Sequence, residues 1–170
     1  MTIAEAAELI KPGLEATIQR ATWADLGCGS GTFTKALATC LHEGIIYAVD
    51  KESQVLKSSN AVKIEFLKLD FIHDDLPFST LDGLLIANAL HYVKNKLQFL
   101  EKVKKHLKTV GQMIIVEYDT EVKNHWVPYP MSFQNLTETF HHAGFTDIKK
   151  IGERNSVYNA QKMYACSVKR

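Results

Sequence analysis

The sequence lacks an excess of charge of either sign. Lys and Arg number 20 against 19 Asp and Glu, a formal net charge of +1 over 170 residues. So even a balance supplies no field for a polyanion, and nucleic acid is not expected as a partner. Long apolar runs are missing too. None reaches the 18 residues of a membrane-spanning helix, so no membrane association is expected. The first eleven residues set Glu5 and Glu8 among apolar neighbours, without the basic start and continuous apolar stretch of a secretory signal. Cysteine is scarce: Cys28, Cys40 and Cys166 are odd in number, widely spaced and form no Cys-x-x-Cys pair. A zinc knuckle and a disulfide framework are therefore both disfavoured, and no metal site is expected. A cytoplasmic protein with reduced thiols is the expectation. No internal repeat or low-complexity tract interrupts a chain that is 46% hydrophobic and 23% charged. Such a composition packs a core and, at this length, one domain.

What is present is alternation. A short strand candidate at 22–26, apolar runs at 45–49, 84–87 and 113–116, and an alternating segment at 62–67 are separated by helical or loop-like stretches. Helices are expected over 3–10, ended by Pro12 and Gly13, and over 32–42, 52–60 and 95–108, the last with Leu97, Leu100, Val103 and Leu107 on one stripe. A further helix carries Phe133, Leu136, Phe140 and Ala143, with Gly144 as its stop. Residues 145–152 and 161–168 are expected as two final strands, paired as a hairpin through a loop around Asn155 and Asn159. The fold class is thus α/β: a single-domain, Rossmann-like, doubly wound sheet, mostly parallel, of seven strands with a C-terminal antiparallel hairpin.

In such a sheet ligands bind beyond the carboxyl ends of the strands. Asp25, Asp50, Asp70, Asn88 and Glu117 each fall at or near one of those ends. Between the first strand and its helix lies Gly27-Cys28-Gly29-Ser30-Gly31, where glycines let the chain bend tightly and let a ligand approach the main chain. Thr32 stands where a dinucleotide fingerprint has its third glycine, which weakens the nicotinamide and flavin readings.

Asp25-Leu26-Gly27-Cys28-Gly29-Ser30-Gly31 resembles the first motif of class I S-adenosylmethionine-dependent methyltransferases. The resemblance continues in order through Val49-Asp50, Leu69-Asp70-Phe71, the run from Leu84 to Tyr92, the turn Leu107–Gln112 and the junction Phe140–Phe145. It implies S-adenosylmethionine as cofactor, S-adenosylhomocysteine as product and direct displacement as the reaction. It also implies a cofactor site of Asp25, Gly27, Cys28, Gly29, Gly31, Thr32, Asp50, Lys51, Asp70, Phe71, Asn88 and Ala89, with Asp50 at the ribose and Asp70 at the adenine. The chain then divides into an N-terminal helical segment (1–20), a cofactor-binding core (21–119) and an acceptor-side portion (120–170). The family's turn before the fifth strand has Pro and a second Gly where this chain has Thr109 and Gln112.

Methyl transfer needs alignment and, for some acceptors, a base. His91 and Tyr118 are the candidate catalytic residues, and Tyr92, Glu117, Trp126 and Tyr129 the candidate acceptor-site residues. His91 as a packing residue is the bland alternative. The expected acceptor is a small molecule, with monomer or homodimer left open. Few residues precede the first strand, so no N-terminal lid is expected. Two rivals stand beside this reading. One is a non-catalytic cofactor-binding module. The other is an NAD(P)-dependent reductase, whose Tyr-x-x-x-Lys pair occurs as Tyr92 with Lys96 and Tyr158 with Lys162.

Overall fold

The structure, a computed structural model, describes residues 1–14, 20–58, 61–155 and 162–170. Among these, seven strands form one sheet: β1 (Arg20–Leu26), β2 (Glu43–Asp50), β3 (Val62–Lys68), β4 (Leu81–Ala87), β5 (Leu107–Tyr118), β6 (Asp147–Asn155) and β7 (Lys162–Lys169). Their order is β3-β2-β1-β4-β5-β7-β6. The first five run parallel, and β7 pairs antiparallel with both β5 and β6. The expected mixed sheet with its C-terminal antiparallel pair is therefore what forms. The connection between β6 and β7, with Asn159 and Tyr158, lies outside the described residues.

Both faces of the sheet are covered, which is why its central strands read as continuous apolar runs. Leu84, Leu85 and Ile86 of β4 and Met113 to Val116 of β5 have no exposed surface. One face packs on α1 (Ile3–Ile10) and α2 (Thr32–Cys40), the other on α3 (Lys96–Lys104) and α4 (Phe133–His142). A capping box between Thr2 and Glu5 starts α1, and Gly144, at φ +83, follows α4.

Two expected helices differ from what forms. Residues 53–58 carry no helix. Their only large apolar side chains are adjacent, Val55 and Leu56, and so cannot form a stripe. Val55 stays in solvent while Leu56 packs against Gly31. The Ser58 hydroxyl instead pairs with both the N–H and the carbonyl of Ile64. The second helix, expected over 95–108, ends at Lys104, and Leu107 already belongs to β5, opposite Leu81. Its inner face uses Phe99 with Leu100 and Val103, whereas Leu97 is exposed. The turn expected before the fifth strand is instead an irregularity within β5, where the register with β4 shifts between Leu81 and Gly83.

The strand order changes direction between β1 and β4, because β1 continues to β2 on one side and pairs with β4 on the other. The carboxyl ends of those strands therefore flank the crevice in which a ligand of such a sheet sits.

Candidate functional site

The glycine turn opens this crevice. Gly27, Gly29 and Gly31 all have positive φ, at 77°, 49° and 78°. Their surroundings differ. A Cβ on Gly27 would lie 2.5 Å from that of Ala89, and one on Gly31 would lie 2.4 Å from a methyl of Leu56. Those two glycines are needed for packing. A Cβ on Gly29 would meet nothing within 4 Å, so it faces open space. The turn is held by Asp50, the last residue of β2, whose Oδ2 accepts the Gly29 N–H at 2.8 Å while Oδ1 accepts the Glu52 N–H at 2.9 Å.

A cavity of about 610 Å³ lies against this turn. Gly27, Gly29, Asp50, Lys51, Asp70, Phe71, Asn88 and Ala89 line it, which is eight of the twelve residues expected at a cofactor. Ile72, His73 and Tyr92 complete it. Asp70 accepts the Ile72 N–H and meets the His73 ring nitrogen at 2.9 Å. Partial burial opposes its charge, but these hydrogen bonds prevail and hold its carboxyl below the ordinary value. Cys28 and Thr32 line a separate cavity of about 310 Å³ at the same turn, bordered by Met1 and Met163. Burial pushes the Cys28 thiol far up, so it is no nucleophile.

Asp25 and Gly31 line neither of these cavities. Asp25 is 1% exposed, beneath the turn; Oδ2 takes the Thr34 hydroxyl hydrogen at 2.5 Å, and Oδ1 has no partner among the described residues. Desolvation, with a smaller push from Asp50, raises its carboxyl to about 7 against the pull of Thr34.

A second cavity, about 590 Å³, shares Asn88 and Tyr92 with the first. His91, Tyr118, Asn124, Trp126 and Val127 form the rest of its wall. Asn88 stands at the junction in a left-handed conformation, φ +52, with its N–H on the Val116 carbonyl at 2.8 Å. Its Oδ1 is buried without a partner among the described residues. His91 follows in a 3-10 turn, Leu90–Tyr92. Its Nδ1 lies 2.8 Å from Glu117 Oε2, and its backbone N–H donates to Oε1 at 3.0 Å. Both side chains are almost fully buried, at 3% and 1% exposure. Glu117 is thus a support behind His91 and not part of the cavity wall.

The loop after β5 delivers Asn124, Trp126 and Val127. Asn124 Oδ1 accepts the N–H groups of Trp126 and Val127, an Asx turn that leaves Val127 buried and Trp126 75% exposed. Tyr129 is set apart from the cavity. Its N–H donates to the His91 carbonyl at 3.0 Å, its carbonyl accepts from Lys96, and its ring lies between the ammonium groups of Lys96 and Lys123. The lysines of α3 are accordingly more than a solvated face. Lys96, Lys102 and Lys104 all reach back to loop carbonyls. The wall residues that sequence reasoning missed, Ile72 and His73, directly follow the recognised Asp70 and Phe71. Only turn-forming Asn and Asp types could have pointed to them.

The family described as "Methyltransferase domain" matches residues 24–113. None of the curated proteins matches the sequence. Among solved structures, the YcgJ protein of Bacillus subtilis superposes with a TM-score of 0.70 at 12% identity, covering 98% of each chain. The 1,6-didemethyltoxoflavin-N1-methyltransferase of Burkholderia thailandensis, with 1,6-didemethyltoxoflavin and S-adenosylhomocysteine bound, gives 0.69 at 16% identity, covering 99% of this chain and 77% of that one. An arsenic(III) S-adenosylmethionine methyltransferase of Chlamydomonas reinhardtii gives 0.69 at 15%, covering 93% and 65%. At such identities the likeness is one of fold.

Proposed function

The chain belongs to the methyltransferase domain family, and from that premise we propose that it methylates a small-molecule acceptor with S-adenosylmethionine. The carrying observation is the pair of cavities that meet at Asn88 and Tyr92, one against the glycine turn and one against His91. A two-substrate transfer needs two such sites with a common wall.

The first cavity fits the cofactor by its chemistry. Asp50 and Asp70 present carboxylate oxygens suited to ribose hydroxyls and an adenine amino group, Phe71 offers an apolar face, and Gly29 leaves room where any side chain would intrude. The cofactor supplies an electrophilic methyl group on a sulfonium, so the protein needs no nucleophile of its own. Residues 21–119 hold the cofactor, and residues 120–170 close the acceptor side through the Asn124–Val127 turn. Tyr92, Tyr118 and Trp126 would hold a flat acceptor, and His91 would take its proton where one must leave.

Calorimetric titration with S-adenosylmethionine, S-adenosylhomocysteine and NADPH tests the reading. Both sulfur compounds should bind at micromolar concentration or below, and NADPH should not. Tight NADPH binding with none of S-adenosylhomocysteine would overturn it. Cofactor binding without turnover across a broad acceptor panel would favour the non-catalytic alternative.

A further inference from the structure

The geometry points to an acceptor that binds neutral and donates an O–H or N–H of an aromatic or heteroaromatic ring to His91 Nε2, an inference that rests on the methyltransferase reading. Its basis is the hydrogen-bond polarity that Glu117 imposes. The carboxylate accepts backbone N–H groups from His91 at 3.0 Å and Tyr118 at 3.3 Å. Each carboxyl oxygen is thus already an acceptor of a backbone N–H, and both are placed to accept rather than to donate. The hydrogen between Glu117 and His91 therefore sits on Nδ1, 2.8 Å away. A neutral imidazole with Nδ1–H has its lone pair on Nε2. Nε2 has no partner among the described residues, and His91 lines the second cavity. The site thus offers an acceptor of hydrogen bonds where an anion would need a donor.

The remaining wall agrees. Tyr92, Tyr118 and Trp126 provide aromatic faces, and neither Lys nor Arg is among the described residues that line this cavity. A carboxylate or phenolate entering it would find the Glu117 carboxyl behind His91 and no lysine or arginine among the described lining residues. A volume of about 590 Å³ suits one or two fused rings. The proton released on methylation goes to Nε2, and Glu117 stabilises the resulting imidazolium. Glu117 is then a positioning residue: it acts through His91.

Three probes of one shape separate the possibilities: 2-naphthol, 2-naphthoate and 2-methoxynaphthalene. They are titrated at pH 7, with and without saturating S-adenosylhomocysteine, and followed by Trp126 fluorescence. Naphthol should bind at least tenfold more tightly than either of the others. Nitrogen-15 spectra of the imidazole rings, with His91 assigned by its loss in His91→Gln, should show the Nδ1–H tautomer. In Glu117→Gln the amide can donate to Nδ1, so the hydrogen should move to Nε2 and the naphthol preference should fall at least tenfold. An Nε2–H tautomer in the unaltered protein overturns the inference. So does naphthoate or the methyl ether matching naphthol, or no binding of any probe. The unaltered protein decides these points even if Glu117→Gln does not fold. Binding of S-adenosylhomocysteine is read separately in the same titrations, so its failure would count against the methyltransferase reading alone.

Discussion

Asp25 and Gly29 sit four residues apart, and their environments make opposite predictions. The Asp25 carboxyl is raised to about 7 by burial. Between the unfolded value near 4 and about 7 the folded chain binds more protons than the unfolded one, so stability falls as pH rises through that window. The limiting slope is about 1.4 kcal/mol per pH unit. Asp25→Asn keeps an acceptor for Thr34 and removes the charge. Its thermal midpoint should vary less with pH between 4 and 7, and at pH 8 it should exceed that of the parent. Parallel profiles would show that Asp25 does not titrate there. Gly29→Val, in contrast, should leave a folded protein, because a Cβ there meets nothing within 4 Å among the described residues. It should still abolish S-adenosylhomocysteine binding in calorimetry, with a stability cost of about 1–2 kcal/mol for the positive φ. Normal binding by this variant would make the turn purely structural. Asp50→Asn should weaken the same ligand at least tenfold, since a hydrogen bond to a charged partner is worth roughly 1.5–3 kcal/mol.

At the scale of elements, the loop between β5 and α4 divides its aromatics between two tasks. Trp126 is 75% exposed and lines the second cavity, so on the proposed reading it contributes to acceptor binding. Trp126→Ala should therefore raise KM for the acceptor with little change in thermal midpoint or cofactor affinity. Tyr129 stands between two lysines and ties the loop to the His91 turn through its backbone. Tyr129→Ala should lower stability by about 1 kcal/mol, the worth of such cation–ring contacts, and affect the acceptor only indirectly. If thermal denaturation and steady-state kinetics gave the two variants the same profile, this division would be wrong.

At the scale of the molecule, the sheet is built around the contact between Trp23 of β1 and Gly83 of β4. A Cβ on Gly83 would lie 2.4 Å from the indole ring. Gly83→Ala should cost roughly 1–3 kcal/mol by overpacking, seen as a lower urea midpoint. Trp23 is 1% exposed, so in a Trp126→Ala background its emission should be blue-shifted and should follow the same unfolding curve as circular dichroism.

The sequence by itself determined the parts that depend on local pattern. Short segments of four to six residues located the parallel strands, Gly144 marked the end of α4, and the glycine turn with Asp50 and Asp70 identified most of the first cavity. These are legible because strand period, positive φ and carboxylate placement are each set by a few adjacent residues. The helix expected over 52–60 does not form at 53–58, because a polar stretch without a stripe has no intrinsic fold and the contacts of Leu56 and Ser58 decide its path; residues 59–60 lie outside the described residues. Only the tertiary structure put Glu117 behind His91, 26 positions away, turned Tyr129 out of the cavity and buried Asp25 beneath the turn. Those facts depend on which strands become neighbours and how far each loop is drawn in, quantities fixed by the packing of the whole sheet and written in no single segment.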